Sequence, residues 1–250
     1  MAEERKKKVD ILYITYNRID STKLTLPKLI QSTSYPFSLT IVDNRSSDNT
    51  VSYLKEVVSN YGSERIINLI LNNKNEGLTK PTNAFWKRSE ADLVGKIDND
   101  ILVEDGWLEK LVSAHEKIPN LSIIGGFHFP RQVFNYNKCK HNIYQYDDVQ
   151  ILRQPYIGGN YIAKRNIILE NGFLKEGDNN QFKLGGWTGY QQKLSDQGYI
   201  IGYYYPLISF EHIHHAPDAY FKEVRGISKR KYLRWEKKDG GKLLNSNWDW

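Results

Sequence analysis

Asp98, Asn99 and Asp100 set two carboxylates one residue apart, directly after the apolar run Leu93–Ile97 and directly before Ile101-Leu102-Val103. Two unpaired acids confined between hydrophobic segments repel each other, and a bound cation removes that cost. Hard oxygen ligands that leave positions open for phosphate suit Mg2+ or Mn2+. A second source of ligands lies far along the chain, where Glu211-His212-Ile213-His214-His215 follows the strand-like Leu207–Phe210. In an extended strand His212 and His214 face the same side, so either imidazole can reach such an ion. Histidine pairs also serve as surface or hydrogen-bonded structural residues, and a link to Asp100 is what favours ligation here.

Three further polar clusters accompany the acids. Thr15-Tyr16-Asn17-Arg18 and Asp43 through Thr50 each follow an apolar run, so both fall at the carboxyl ends of strands and are expected to line one crevice. A carboxylate there, Asp43, can accept the imide N–H of uracil or the amino group of another base, and Asn44 stands beside it. Polar residues after strands also form ordinary turns. In the third cluster Asn75, Gly77, Lys80 and Asn83 span a loop-to-helix junction. Helix N-terminal amides can meet phosphate at such a junction, although a turn with an N-cap reads equally well.

The surrounding pattern shows how these residues are brought together. From residue 9 to about 126, β-branched runs (Val9–Thr15, Leu39–Asp43, Ile66–Leu71, Leu93–Asp98, Leu121–Gly125) alternate with helix-like segments (Ser21–Ser32, Asp48–Tyr61, Leu78–Ser89, Glu104–Lys117). This is the signature of a mostly parallel sheet with crossover helices. Val51, Leu54, Val57 and Val58 recur at helical spacing, with Ser47 or Asp48 as the expected N-cap. Beyond Gly126 the chain turns aromatic and Asn/Gly-punctuated, with strands predicted at Tyr161–Lys164 and Tyr199–Tyr205 and a helix near Tyr190–Gln197. No linker or repeat separates the halves, which predicts a single α/β domain.

Composition narrows the function. Charge is concentrated at the end: Lys222 to Lys242 hold nine basic residues against three acids, 9 − 3 = +6, which equals the net charge of the whole 250-residue chain. With Tyr220, Phe221, Tyr232 and Trp235 nearby, that tail suits a polyanion, an anionic membrane surface, or simple solvation. No apolar run approaches the ~20 residues of a membrane span. The charged start, Met1 to Lys8, lacks the apolar core of a secretory signal. One cysteine, Cys139, excludes an intramolecular disulfide and fits a cytoplasmic location as an ordinary free thiol.

Taken in order, the segments resemble the family-2 type glycosyltransferases of the GT-A fold over residues 9 to about 215. Ile11 to Arg18 is similar to the family's opening strand and Thr-Tyr-Asn turn, and Ile41 to Thr50 to its base-binding segment. Asn75-Glu76-Gly77 with Asn83 resembles the Asn-x-Gly stretch, and Asp98-Asn99-Asp100 the Asp-x-Asp motif. The resemblance implies a single GT-A domain at 9–217, with a Rossmann-like nucleotide-binding half (9–126) and an acceptor half (127–217). A charged tail at 1–8 and the basic aromatic tail at 218–250 flank it. It further implies a nucleotide diphosphate sugar as donor, with Asp43 on the base and Thr15, Tyr16, Asn17, Arg18, Asn44, Asn75, Gly77, Lys80 and Asn99 around it. Asp98 is implied on ribose or metal, Asp100 on metal, and His212 (or His214) as the further metal ligand. Gly158, Gly159, Asn160 and Trp187 are implied beside the sugar and a hydroxyl acceptor such as a glycan, a lipid-linked sugar or modified DNA. One departure stands out: inverting members carry a Glu-Asp pair where this chain reads Gly186-Trp187-Thr188-Gly189. The base is then expected elsewhere, at Asp178, Glu176 or Asp196, unless the leaving phosphate takes the proton with retention of configuration.

Overall fold

The structure, a computed structural model, describes residues 5–62, 67–129, 134–175 and 186–213. The amino-terminal part alternates β1 (Val9–Thr15), α1 (Ile19–Gln31), β2 (Ser38–Asp43), α2 (Thr50–Tyr61), β3 (Ile67–Leu71), α3 (Thr79–Arg88) and β4 (Leu93–Asp98). Then come β5 (Ile101–Val103), α4 (Trp107–Lys117), β6 (Leu121–Gly125), the single turn α5 (Tyr136–Cys139), β7 (Ile143–Tyr146) and β8 (Val149–Arg153). The described chain closes with β9 (Tyr161–Lys164), α6 (Arg165–Asn171), α7 (Gly186–Asp196), β10 (Ile200–Tyr205) and β11 (Phe210–His212).

Nine strands form one sheet in the order β3-β2-β1-β4-β9-β6-β10-β8-β7. The pairings β3–β2, β2–β1, β1–β4 and β6–β10 are parallel. β9 runs antiparallel between β4 and β6, and β8 antiparallel between β10 and β7. Seven strands therefore share one direction and two oppose it. The parallel half is the one the alternating pattern predicts, and β9 stitches the aromatic half into the same sheet.

Both faces of the sheet are covered, which is why its strands read as continuous apolar runs. Ile11, Tyr13, Leu39 and Ile41 point to the face that packs Leu26 and Leu29 of α1, Leu54 of α2 and Leu111 of α4. Leu12, Ile14, Val42 and Val94 point to the other, with Phe85 and Trp86 of α3, Ile167 of α6 and Leu194 of α7. The alternation has the two-residue period of a strand. At α2 the sequence expectation is corrected: Asn49 occupies the cap position and makes no side-chain cap bond. Asp48 instead spans two elements, accepting the Thr50 N–H (3.0 Å) and the Ile19 N–H at the start of α1 (3.1 Å).

His115 on α4 is a titratable group held neutral inside this core. It is 1% exposed, and its Nε2–H donates to the Ile162 carbonyl (3.1 Å), which fixes the tautomer because a carbonyl can only accept. Burial, first among the causes, lowers its pKa to about 3. Between pH 6.5 and about 3 the unfolded chain binds a proton that the folded chain refuses, so stability falls on acidification. This one group contributes up to about 1.4 kcal/mol per pH unit. In urea titrations at pH 7, 6 and 5, His115→Leu is expected to flatten the decline; an unchanged slope contradicts the assignment.

Candidate active site

The carboxyl ends of β1, β2 and β4 carry the first two clusters and the Asp98–Asp100 triplet. Asn17, Arg18 and Arg45 take left-handed backbone angles (φ 54°, 63° and 67°), uncommon for residues with a Cβ and concentrated here in two facing loops. Asn17 locks the loops together: its N–H donates to Ser46 Oγ (2.7 Å), and its Oδ1 accepts the Ser47 N–H (2.8 Å). Asp43 is 1% exposed, and both its oxygens are engaged by Ser46, through the backbone N–H (2.8 Å) and the hydroxyl. It shapes the loop from within, at the carboxyl end of β2. Thr15 is buried and receives Asn99 Nδ2 (3.2 Å), while Tyr16 is 47% exposed at the rim.

Asn44 is the hub of the third cluster. Its Nδ2 donates to the Gly77 carbonyl (2.9 Å), and its Oδ1 accepts from Asn72 Nδ2 (2.9 Å) and the Glu76 N–H (3.4 Å). Gly77 has φ +69°, which a side chain would strain, and its N–H is capped by Asn75 Oδ1 (2.9 Å). Lys80 pairs with Glu76 (2.6 Å). Asn83 has a structural role: it is 5% exposed and clamps the backbone of Leu174 through both amide atoms (2.8 and 3.0 Å).

Asp98 and Asp100 diverge. Asp100 lies in the turn between β4 and β5, its side chain 12% exposed, with Oδ2 accepting from Arg18 Nη1 (2.9 Å) and lying 3.4 Å from His212 Nε2. The distant histidine arrives by strand pairing: β11 runs antiparallel to β5 with His212 opposite Ile101, and the Ile213 N–H donates to the Asp100 carbonyl (2.9 Å). Gly126 makes room for this, because a Cβ there would lie 2.3 Å from the Phe210 ring. Asp98 turns to the opposite side, where it pairs with Lys96, and its N–H donates to Asn160 Oδ1 (2.6 Å).

Among the described residues no three of His, Cys, Asp and Glu converge as a complete metal cage. The pair that does converge, Asp100 with His212, supplies one hard oxygen and one imidazole, a donor set that suits Mn2+ or Mg2+ when phosphate oxygens complete the shell. A cation already sits against the Asp100 carboxylate in the form of the Arg18 guanidinium. The residues therefore fit a divalent ion held jointly with a phosphate-bearing ligand. His214, Glu176 and Asp178 lie outside the described residues, as do 1–4 and 214–250.

The wall opposite Asp98 is aromatic. Trp187, in the first turn of α7, stacks on Tyr161 (centroids 4.3 Å, 21°) and donates Nε1–H to the Gly158 carbonyl (3.0 Å). Gly158 lies against His128, whose ring a Cβ would overlap at 2.6 Å. Asp196, one of the acids expected to activate an acceptor, sits at the far end of α7, about 13 Å along the helix from Trp187, and accepts from Gln192 Nε2 (2.8 Å). It is removed from the crevice by the helix's own length.

Two residues were missed by pattern reading. Gln191, fully buried on α7, grips the segment leading to Gly158 by accepting the Ile157 N–H and donating to the Ile157 carbonyl (both 2.9 Å). A glutamine beside Tyr190 and Leu194 on the buried side of a helix is the available signal. Gln191→Ala leaves two buried backbone groups without partners, and a loss of about 2 kcal/mol is expected in urea denaturation. The other missed residue is Lys96.

A family model described as Glycosyl transferase family 2 matches residues 10–197. No curated protein sequence matches significantly. Among solved structures, the mannosyltransferase PcManGT from Pyrobaculum calidifontis, in complex with GDP-Man and Mn2+, superposes with a TM-score of 0.66 at 16% identity. That match covers 95% of this chain and 66% of that one. GalNAc-T7 with UDP, GalNAc and Mn2+ gives 0.62 at 13%, covering 95% and 55%. S. aureus TarS 1-349 with UDP gives 0.58 at 15%, covering 87% and 63%. At these identities the likeness is one of fold, and the chain spans about half to two thirds of each neighbour.

Proposed function

We propose that this chain, which belongs to glycosyl transferase family 2, transfers a sugar from a nucleotide diphosphate sugar, with a UDP-sugar favoured, to a hydroxyl acceptor. The observation that carries the reading is the Asp100–His212 pair brought together across β5 and β11 at the mouth of the nucleotide-side loops. Residues 9–126 serve as the nucleotide-binding half, 127–217 as the acceptor half and 218–250 as a basic tail. The structural neighbours' complexes with UDP, GDP-Man and Mn2+ support this class of donor and a divalent ion.

In this reading Asp43 and Asn44 orient the base, and Asn17 keeps their loop closed over it. Arg18 approaches the diphosphate, and Lys80 stands near it on the first turn of α3. Asp100 and His212 hold Mn2+ or Mg2+, which when bound supplies Lewis-acid stabilisation of the leaving diphosphate. Trp187, Gly158, Gly159 and Asn160 wall the sugar and the approaching acceptor. The described first turn of α7 holds no acid. The acceptor proton therefore goes to a carboxylate of the 176–178 segment or to the leaving phosphate, and the anomeric configuration of the product separates these routes.

The acceptor reading follows charge: a tail whose Lys222–Lys242 stretch carries net +6 with interspersed aromatics suits a polyanion, modified DNA included, or a glycan carried at an anionic surface. Among the described residues no helix is long and apolar enough to cross a membrane. A cytoplasmic site of action belongs to the same proposal; the one cysteine is buried and free, and burial raises its pKa. The test is transfer or hydrolysis across UDP- and GDP-sugars with Mn2+, alongside retention on DNA at rising salt with and without residues 218–250. Turnover supports the enzyme reading, and no turnover with any donor contradicts it. Salt-steep retention that the deletion abolishes selects a nucleic-acid acceptor.

A further inference from the structure

On the side of α3 turned away from Trp187, a groove of about 440 Å3 runs along the sheet, a size typical of ligand sites. One wall is α3 itself: Lys80, Pro81, Ala84, Phe85 and Arg88 recur at helical spacing and border the groove together. Trp86 points the other way, to Trp187 (centroids 6.3 Å) and Tyr190 (5.8 Å). The floor is the face of β1, β2 and β3 that α3 leaves open. In register, Asp10 stands beside Ser38, Thr40 beside Asn68, and Val42 beside Ile70. These outer strands are amphipathic. Leu39, Ile41 and Leu69 pack into the core beneath, whereas Ser38, Thr40 and Asn68 face the groove. Among the described residues the side chains of Ser38, Thr40, Asn68 and Arg88 have no hydrogen-bond partner. A face built to receive an apolar helix carries apolar residues, and this one presents hydroxyls and amides.

Charge narrows the occupant. The groove is lined by three acids (Asp10, Glu76, Glu90) and two bases (Lys80, Arg88), 2 − 3 = −1. That balance disfavours a nucleic acid or any other polyanion. We propose that the groove is a second saccharide site, which holds an uncharged stretch of a glycan chain outside the crevice. A sugar hydroxyl both donates and accepts, so it matches the mixed set of groups here. The Arg88 guanidinium donates in pairs, Asp10 accepts through the oxygen not taken by the Ser89 hydroxyl, and Ser38, Thr40 and Asn68 do either. Ile70 and Phe85 offer apolar surface to the C–H face of a ring. From Ser38 to Val42 the floor runs about 13 Å, room for a short oligosaccharide. The inference rests on the proposed function only for the role of the site: a tethered glycan meets the crevice at a raised local concentration.

The experiment compares wild type, Arg88→Ala and Thr40→Trp, the last filling the groove from its floor. Cellohexaose, maltohexaose, chitohexaose, mannohexaose and a single-stranded oligothymidylate are titrated by calorimetry, with UDP at saturating Mn2+ and the urea midpoint as controls. At least one hexasaccharide is expected to bind wild type, and both variants to bind it roughly tenfold or more weakly. UDP affinity and the urea midpoint are expected to stay at their wild-type values. No binding of any hexasaccharide overturns the inference, as does full hexasaccharide affinity in either folded variant. Oligothymidylate binding that depends on Arg88 also overturns it, in favour of a polyanion site. If Thr40→Trp does not fold, Arg88→Ala decides, since it removes an exposed side chain. If the hexasaccharide result holds and no nucleotide binds with Mn2+, the donor reading falls while the saccharide site stands.

Discussion

Asp100→Ala is expected to lower kcat/KM for sugar transfer by roughly a hundred- to a thousandfold, the cost of removing a preorganised group that acts on charge developing in the transition state. Asp100 is placed for this by three independent constraints. Its carbonyl is tied to Ile213, its carboxylate is nearly buried, and the same oxygen meets both Arg18 and His212. The fold should survive, because the β5–β11 pairing is made by backbone groups that the substitution leaves in place. The measurement is steady-state kinetics with Mn2+ varied, alongside the urea midpoint. Lost activity with a preserved midpoint is the expected result; an unaltered kcat/KM contradicts a role for this carboxylate.

Arg18→Ala is expected to act in two directions. The guanidinium occupies Asp100 in the ligand-free protein, so its removal should tighten Mn2+ binding by about two- to fivefold, the scale of a partly exposed ion pair. The same change should lower kcat/KM for the donor by roughly ten- to a hundredfold, because charge-assisted bonds to phosphate are the stronger kind. Tighter metal with poorer donor use is a combination that general loosening of the site does not produce. Spin-resonance titration of Mn2+ and donor kinetics check it. Weaker Mn2+ binding in the variant contradicts the exchange of Arg18 between Asp100 and diphosphate.

The parallel half of the fold was legible because its strands are buried on both faces. Val9–Thr15, Leu93–Asp98 and Leu121–Gly125 therefore read as mainly apolar runs, interrupted inside only at Asp10, Lys96 and Ser122 and at the small Gly95. The hairpin β7–β8 was not, since Tyr144 is exposed and Gln145 and Gln150 interrupt the alternation. The three-residue strands β5 and β11 are too short to show any period, yet they deliver His212 to Asp100. That convergence was anticipated from chemistry, the need of an isolated acid for a ligating partner, rather than from secondary structure. Lys96 was invisible for the opposite reason. Within an apolar strand a lone lysine reads as a blemish, and only the face it shares with Asp98 and its pairing with that acid account for it. Gln191 and Asn83 likewise hold backbone segments distant in sequence, which no local spacing encodes.

In the proposed function one crevice binds a nucleotide sugar and a divalent ion through Asp100. Thermal unfolding of wild type and Asp100→Ala across UDP- and GDP-sugars, with and without Mn2+, tests it most directly. At a hundredfold excess over Kd, bound ligand adds about 2.7 kcal/mol. For a chain of this size that raises the wild-type midpoint by roughly 5–10 °C. This rise is expected with at least one nucleotide sugar, dependent on Mn2+ and abolished in Asp100→Ala. No rise with any donor, or an equal rise in the variant, would contradict it.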